Sequence, residues 1–260
     1  MSFTLLAQDT YTNIIGLEFV LIKPGNFLLG KFQPAYPKPD TMKGIQKSSE
    51  RGYNASEYIL AEQLAKRNAM PGFMVTIEKP FYIGKFEVTQ GQWKKIMGSN
   101  PSIFQGDKSG NSDSYPVENI TWKKAQKFLK KLNRLDNGRS YRLPTEFEWE
   151  YAARAGAEDD IPWSEIRSSA QLGTRTTNKI GQKKPNAWGL YDMLGNVWEW
   201  VHDFYNEKIF ADPIPPKSGK EHVLKGASFV GDVKNATYMT HAAGPANRWD
   251  VGFRVVMEAK

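Results

Sequence analysis

Three glutamates, Glu146, Glu148 and Glu150, alternate within YRLPTEFEWEYAARAG, and carboxylates held close together can serve as general acid and general base. The same stretch has a simpler use for them. Thr145 followed three positions later by Glu148 is a capping-box pair that satisfies the first free amides of a helix, so a structural role is expected for the trio. The histidines are His202, His222 and His241, with no paired metal-ligand spacing. The chain contains no cysteine, which removes disulfides, thiolate zinc sites and cysteine nucleophiles. What remains is an oddity near the C-terminus. GASFVGDVKNATYMTHAAGPANRWDVGFR, residues 226–254, begins and ends in turn-like frames, while its middle has neither helical nor strand period.

The rest of the chain must position these residues. GLEFVLIKPGNFLLG, Gly16 to Gly30, reads as a β-hairpin turning at Pro24-Gly25. Residues 31–53, rich in Pro, Lys, Ser and Gly, read as a surface loop and 55–67 as a short helix, together an insertion at about 31–70. MVTIEKPFYIGKFEVT supplies two strands joined through Lys79-Pro80. Thr89 then caps a short helix that Gly98 closes. Thr121 caps another, at about 121–134, with Trp122, Ala125, Phe128, Leu129 and Leu132 on one face. Thr145 caps a helix at about 145–155 whose apolar side is Phe147, Trp149 and Tyr151 to Ala153, and Gly156 stops it. Beyond it the sequence is rich in Gly, Pro, Asn and aromatics, which implies turns and short strands packed around large side chains.

A chain of 260 residues can bury a sizeable core, and one domain spanning 1–260 is expected. Lys and Arg outnumber Asp and Glu by 35 to 28, giving a net charge of +7. The basic residues are scattered in solvated pairs such as Lys123-Lys124, Lys130-Lys131 and Lys183-Lys184, without a nucleic-acid motif, so nucleic acid is not an expected partner. No run of 18 apolar residues exists to span a bilayer, and MSFTLLAQ lacks the basic start and apolar centre of a signal peptide. Either the protein is cytoplasmic or an export segment precedes this sequence.

Taken in order, GLEFVLIKPGNFLLG, KPFYIGKFEVTQGQW, PVENITWKKAQKFLKKLN, YRLPTEFEWEYAARAG, NAWGLYDMLGNVWEWVHDFY and GASF with GFRVV resemble the formylglycine-generating enzyme or sulfatase-modifying factor family, over most of residues 16–256. The resemblance implies an α+β fold, the C-type lectin-like variant with two helices, short twisted antiparallel sheets and much irregular loop. Oxidase members bind copper through two cysteines near the C-terminus. Gly231 and Ala236 stand at about those positions, so neither copper nor formylglycine-generating activity is expected. Members with a calcium site at YDMLGNVWEW take ligands from the positions of Asp192, the Gly195 and Val197 carbonyls and the Glu199 carboxylate. Hard oxygen donors bent round a Gly-Asn turn suit Ca²⁺, and the resemblance implies a structural ion there; the alternative is a metal-free turn held by Trp198 and Trp200.

One subset of the family is diversified by retroelements, which rewrite a C-terminal region at template adenines while keeping a frame. Here the frame would be Gly226-Ala227-Ser228-Phe229 and Gly252-Phe253-Arg254, and the variable region about 226–254. Val230, Asp232, Val233, His241, Ala242, Ala243, Pro245, Ala246, Arg248, Asp250 and Val251 are all types reachable from an asparagine codon by changing adenines. Tyr238 and Trp249 read either as exposed anchors or as packing residues, and Asn235, Ala236 and Thr237 as scaffold between variable positions. Trp198, Glu199, Trp200 and Arg254 would support the loops from beneath. Side chains exchanged at random must contribute little to the core, a condition that loops on a rigid scaffold meet.

The expected function is therefore non-catalytic binding of diverse protein or surface ligands by a monomer displaying residues 230–251. A diversified receptor is useful at the cell surface, as a lipoprotein if the gene supplies an anchor. Two rivals stand beside this: a cysteine-independent oxidoreductase or maturation factor of the same family, and an accessory module that binds a partner through a fixed site.

Overall fold

The computed structural model describes residues 9–30, 72–106, 111–158, 161, 163–232, 236–244 and 249–259, with Ile59 and Gln63 as helical positions. The loop and helix expected over 31–67 otherwise lie outside the described residues. In chain order the elements are β1 (Thr10–Thr12), β2 (Glu18–Ile22), β3 (Gly25–Leu29), β4 (Phe73–Ile77), β5 (Phe81–Gly84), α1 (Gln90–Met97), α2 (Trp122–Leu135), β6 (Tyr141–Arg142), α3 (Glu146–Arg154), α4 (Trp163–Ser169), β7 (Trp198–Phe204), β8 (His222–Lys225), β9 (His241–Gly244), β10 (Val251–Gly252) and β11 (Val256–Glu258). Among the described residues the strands form three sheets, ordered β1-β2-β5-β11-β6, β10-β7-β8-β9 and β3-β4. This is the expected α+β architecture of few helices, short sheets and long irregular connections, with more helices among the described residues than the two that the resemblance implies, α4 being one that the sequence pattern does not announce.

The expected hairpin over Gly16 to Gly30 does not form. β2 pairs with β5, with Ile22 opposite Phe81, whereas β3 pairs with β4, with Gly25 opposite Ile77. The two runs make one antiparallel ribbon that changes sheet where each strand meets a proline, Pro24 and Pro80, residues that cannot donate to a ladder. Tyr151 of α3 fixes the corner. Its hydroxyl donates to the Lys23 carbonyl at 3.3 Å, and a Cβ on Gly25 would lie 2.2 Å from the Tyr151 hydroxyl oxygen, so a side chain there would push the tyrosine out of this corner.

The helix starts follow the capping chemistry. The side chains of Thr89, Thr121 and Thr145 accept from Gln92, Lys124 and Glu148 amides respectively, and Gln92 and Glu148 close the boxes at α1 and α3. Ala125, Phe128, Leu129 and Leu132 of α2 are buried as their spacing requires, while Trp122 stays partly exposed. Trp93 stacks on Phe128 at 5.4 Å, and Phe253 meets both rings edge-on, which ties α1 and α2 to the C-terminal strands. α3 ends one residue before the expected stop, with Ala155 itself in the left-handed region at φ 49° and Gly156 following at φ 86°.

The C-terminal frame joins two sheets. Val251 and Gly252 form β10, parallel to the start of β7, and after Phe253 and Arg254 the chain enters the five-stranded sheet as β11, between β5 and β6. At the other end, Gly226 and Ala227 both take positive φ, 91° and 64°. A Cβ on Gly226 would come within 2.9 Å of the Met193 carbonyl and 3.0 Å of the Trp149 ring, so this turn is fixed by close packing.

Candidate functional site

Beneath the frame lies a buried ion pair. Arg254 Nε donates to Glu199 Oε2 at 2.7 Å and its Nη2 to Oε1 at 2.6 Å, while Trp149 Nε1 adds a third donor to Oε2 at 2.7 Å. Remaining guanidinium hydrogens reach the carbonyls of Gly84, Tyr191 and Asp192. Burial pulls the Arg254 pKa down, but the Glu199 carboxylate overrides it and the net shift is upward. Glu87, nearby, accepts from the Val197 amide and the Asn196 side chain; burial first, then the Asp192 and Glu199 charges, raise its pKa well above the carboxylate range. Asp192 is raised by burial too, against the Gly181 amide that donates to it at 2.6 Å.

At the residues expected to hold calcium the structure shows an ion pair. Of the proposed set, Asp192, Gly195, Val197 and Glu199, the carboxylate that should face the ion is instead engaged on both oxygens by Arg254, and the same guanidinium takes the Asp192 carbonyl. Arg254 thus sets a positive charge against the Glu199 carboxylate. Among the described residues no cluster of three or more His, Asp or Glu side chains is arranged to hold a metal.

Next to the C-terminal frame, three rings pack against one another. Phe104 meets Phe229 edge-on at 5.1 Å and Trp249 at 5.9 Å, and Phe229 lies 5.5 Å from Trp249. Phe229 is fully buried, whereas Trp249 is 44% exposed, and Val230 and Ile103 beside the triangle are 49% and 57% exposed. An apolar patch backed by a buried ring suits contact with another molecule. Under it sits Glu118, 0% exposed, whose Oε1 accepts the Phe104 amide at 2.9 Å.

The expected variable residues divide into distinct groups. Val230 and Trp249 are exposed, and Asp232, His241, Ala242 and Ala243 are half-buried. Asp250 and Val251 are not surface residues, which corrects their place among ligand-facing candidates, and of its two readings Tyr238 takes the packing one. Tyr238 is buried over the Arg154 guanidinium, Asp250 Oδ2 accepts from Ser228 Oγ at 2.8 Å, and Val251 is a fully buried strand residue opposite Trp198. Val233, Pro245, Ala246 and Arg248 lie outside the described residues, as does Asn235; Ala236 and Thr237 are buried.

The glutamates of α3 serve more than a cap. Glu148 alone closes the capping box, while Glu150 receives Arg154 and Lys225 and Glu146 receives His241 at 3.0 Å. Lys225 also donates to the Met239 carbonyl, so a buried charge network ties residues 239–241 to α3. The spacing of Glu150 and Arg154, four apart on one helix, was the available signal. For Glu118 and Phe104, far from residues 226–254 in sequence, there was none.

The sequence model of the Sulfatase-modifying factor enzyme 1-like domain matches residues 7–259. The chain belongs to this family. It is 30% identical over 234 residues to the "Chaperone protein LppX" of Paenibacillus barcinonensis, a match covering 68% of this chain and 79% of that protein. It is 29% identical to the mouse formylglycine-generating enzyme, but over only 53% of this chain and 42% of the enzyme. Among solved structures, variable protein 1 of Treponema denticola superposes with a TM-score of 0.72 at 25% identity, covering 98% of this chain and 100% of its own. PvdO from Pseudomonas aeruginosa has the same fold, with a TM-score of 0.72 at 22% identity, covering 97% of this chain and 98% of its own. Within the family this chain is one without cysteine.

Proposed function

We propose that this family member is a non-catalytic binding protein whose ligand surface is the C-terminal stretch between Ser228 and Gly252, centred on Trp249. The observation that carries the reading is the backed aromatic patch: Trp249 and Val230 project from a frame that is itself locked into both sheets. The full-length likeness to a variable protein supports it. So does the absence of cysteine, which leaves the chain without the thiolates that formylglycine-generating chemistry requires.

The stretch is diversified by a retroelement at adenines, and the ligands are diverse proteins or surfaces reached by a monomer displayed at the cell surface as a lipoprotein. Among the described candidates, burial leaves Val230, Asp232, His241, Ala242, Ala243 and Trp249 open to diversification and excludes Tyr238, Asp250 and Val251. The test is a genomic repeat matching the codons of this stretch except at adenines. Its absence from the genome would overturn the diversification. An export signal with a lipid-attachment cysteine at the start of the gene tests the surface assignment, and a gene without one refutes it.

One observation favours a second reading, partner binding through a fixed site: the similarity to a protein named as a chaperone covers four-fifths of that protein's length. Sequences from related strains separate the two. A fixed site predicts no clustered substitutions between Ser228 and Gly252.

A further inference from the structure

Glu118 is an unusual support for an exposed patch. It is fully buried, its Oε1 accepts the Phe104 amide, and its Oε2 has no hydrogen-bond partner among the described residues. The Glu118 amide in turn donates to Ser102 Oγ at 3.2 Å. One carboxyl group thus gathers residues 102–104, the segment that brings Phe104 against Trp249.

We propose that the Glu118 carboxyl is a proton-operated latch for the aromatic patch: protonated, it holds the 102–104 segment closed under Trp249, and ionised, it lets that segment open. This rests on the reading of Trp249 as part of the binding surface and adds to it a regulation by pH.

The physical reason is the unshared oxygen. A neutral carboxyl leaves Oε2 tolerably buried, whereas a carboxylate places negative charge on a buried oxygen that meets no hydrogen bond of ordinary geometry among the described residues. Burial raises the Glu118 pKa to about 7; the Phe104 and Ile103 amides and the Ser102 hydroxyl oppose the rise without cancelling it, and the Asp250 carboxylate adds to it. Asp250 is the charged group that faces Glu118 from the 249–250 turn, and its own carboxylate is held by Ser228. Ionisation therefore draws water toward Oε2, and something must yield. The chain on either side of Glu118 cannot, since the Val117 amide donates to Val88 at 2.8 Å and the Ile120 amide to Val251 at 3.3 Å. The 102–104 segment can, because Ile103 and Gln105 are exposed and, among the described residues, its main-chain bond to the core beyond Glu118 is the one from the Gln90 side chain to the Phe104 carbonyl, so that the Phe104 ring need leave only its contacts with Phe229 and Trp249. Opening removes Phe104 from Trp249 and dissolves the patch.

The test needs no ligand. The chain has eight tryptophans, and the indole ¹H–¹⁵N resonance lost in a Trp249→Phe variant identifies Trp249. In the wild-type protein that resonance is expected to titrate once between pH 5.5 and 8.5, and to stay at its low-pH position throughout in Glu118→Gln, which keeps an accepting oxygen for Phe104 but cannot ionise. In Asp250→Asn the midpoint is expected to fall, because a neighbouring negative charge is gone. A Trp249 resonance that does not move in the wild type, or that titrates identically in Glu118→Gln, overturns the latch. Either result leaves the binding assignment standing, and failure to find a diversified repeat leaves the latch standing.

Discussion

Val230 and Val251 are the same residue type, flank the same stretch, and are reachable by the same codon changes, yet one is 49% exposed and the other fully buried. Truncating each to alanine separates surface from scaffold. Val251→Ala removes two methyl groups from a site packed in the cluster containing Phe253, Val117 and Trp93. At about 0.8 kcal/mol for each buried carbon, plus a cavity term because strand β10 is held by its pairing with β7, the loss is about 2–3 kcal/mol. For a chain of this size each kcal/mol moves the melting temperature by roughly 2–4 °C, so a drop of about 5–10 °C is expected. Val230→Ala, losing contacts with solvent on one side, should stay within about 0.5 kcal/mol and shift the melting temperature by no more than about 2 °C. Urea titration and thermal melts of the three proteins decide it. Equal losses at the two positions would refute the division of the stretch into freely variable and structural valines, and with it the argument that burial limits diversification.

The remaining expectations concern charge. Glu118 has a folded-state pKa raised above its unfolded value, so the native state binds more protons and stability falls as pH rises from about 4.5 through about 7; Glu118→Gln should flatten that decline, gaining about 1–2 kcal/mol over wild type at pH 8 in urea titrations and nothing at pH 4.5. Burial raises Glu87 and Asp192 as well, so part of the wild-type decline persists in the variant. Glu199→Gln strands the buried Arg254 guanidinium and should cost about 3–5 kcal/mol, a loss visible as a lowered urea midpoint. Because Arg254 pairs with Glu199, millimolar Ca²⁺ or a chelator should leave the melting temperature within about 1 °C; a rise with Ca²⁺ would show a metal site at Asp192 and Glu199.

Much of the scaffold was legible because it rests on local chemistry. Thr89, Thr121 and Thr145 announce helix starts through short side chains that satisfy amides two or three residues on, and the spacing of Ala125, Phe128, Leu129 and Leu132 fixes the face that α2 buries. The hairpin at Gly16 to Gly30 failed for the opposite reason. Pro24-Gly25 signals a break in a ladder, but whether the chain folds back or crosses to another sheet depends on Tyr151 and β4, which lie far along the sequence.

The sequence by itself determined the family, the frame at residues 226–229 and 252–254, and the loss of cysteine chemistry, since these are matters of which residues occur and in what order. The tertiary structure decided which frame-enclosed residues face outward and which charge meets Glu199. Those outcomes depend on long-range partners. Tyr238, Asp250 and Val251 carry side chains that would suit a surface or a core equally well, and only the approach of Arg154, Ser228 and Trp198 buries them. Glu199 has the chemistry of a calcium ligand, and only the arrival of Arg254, 55 residues later, turns it into half of an ion pair.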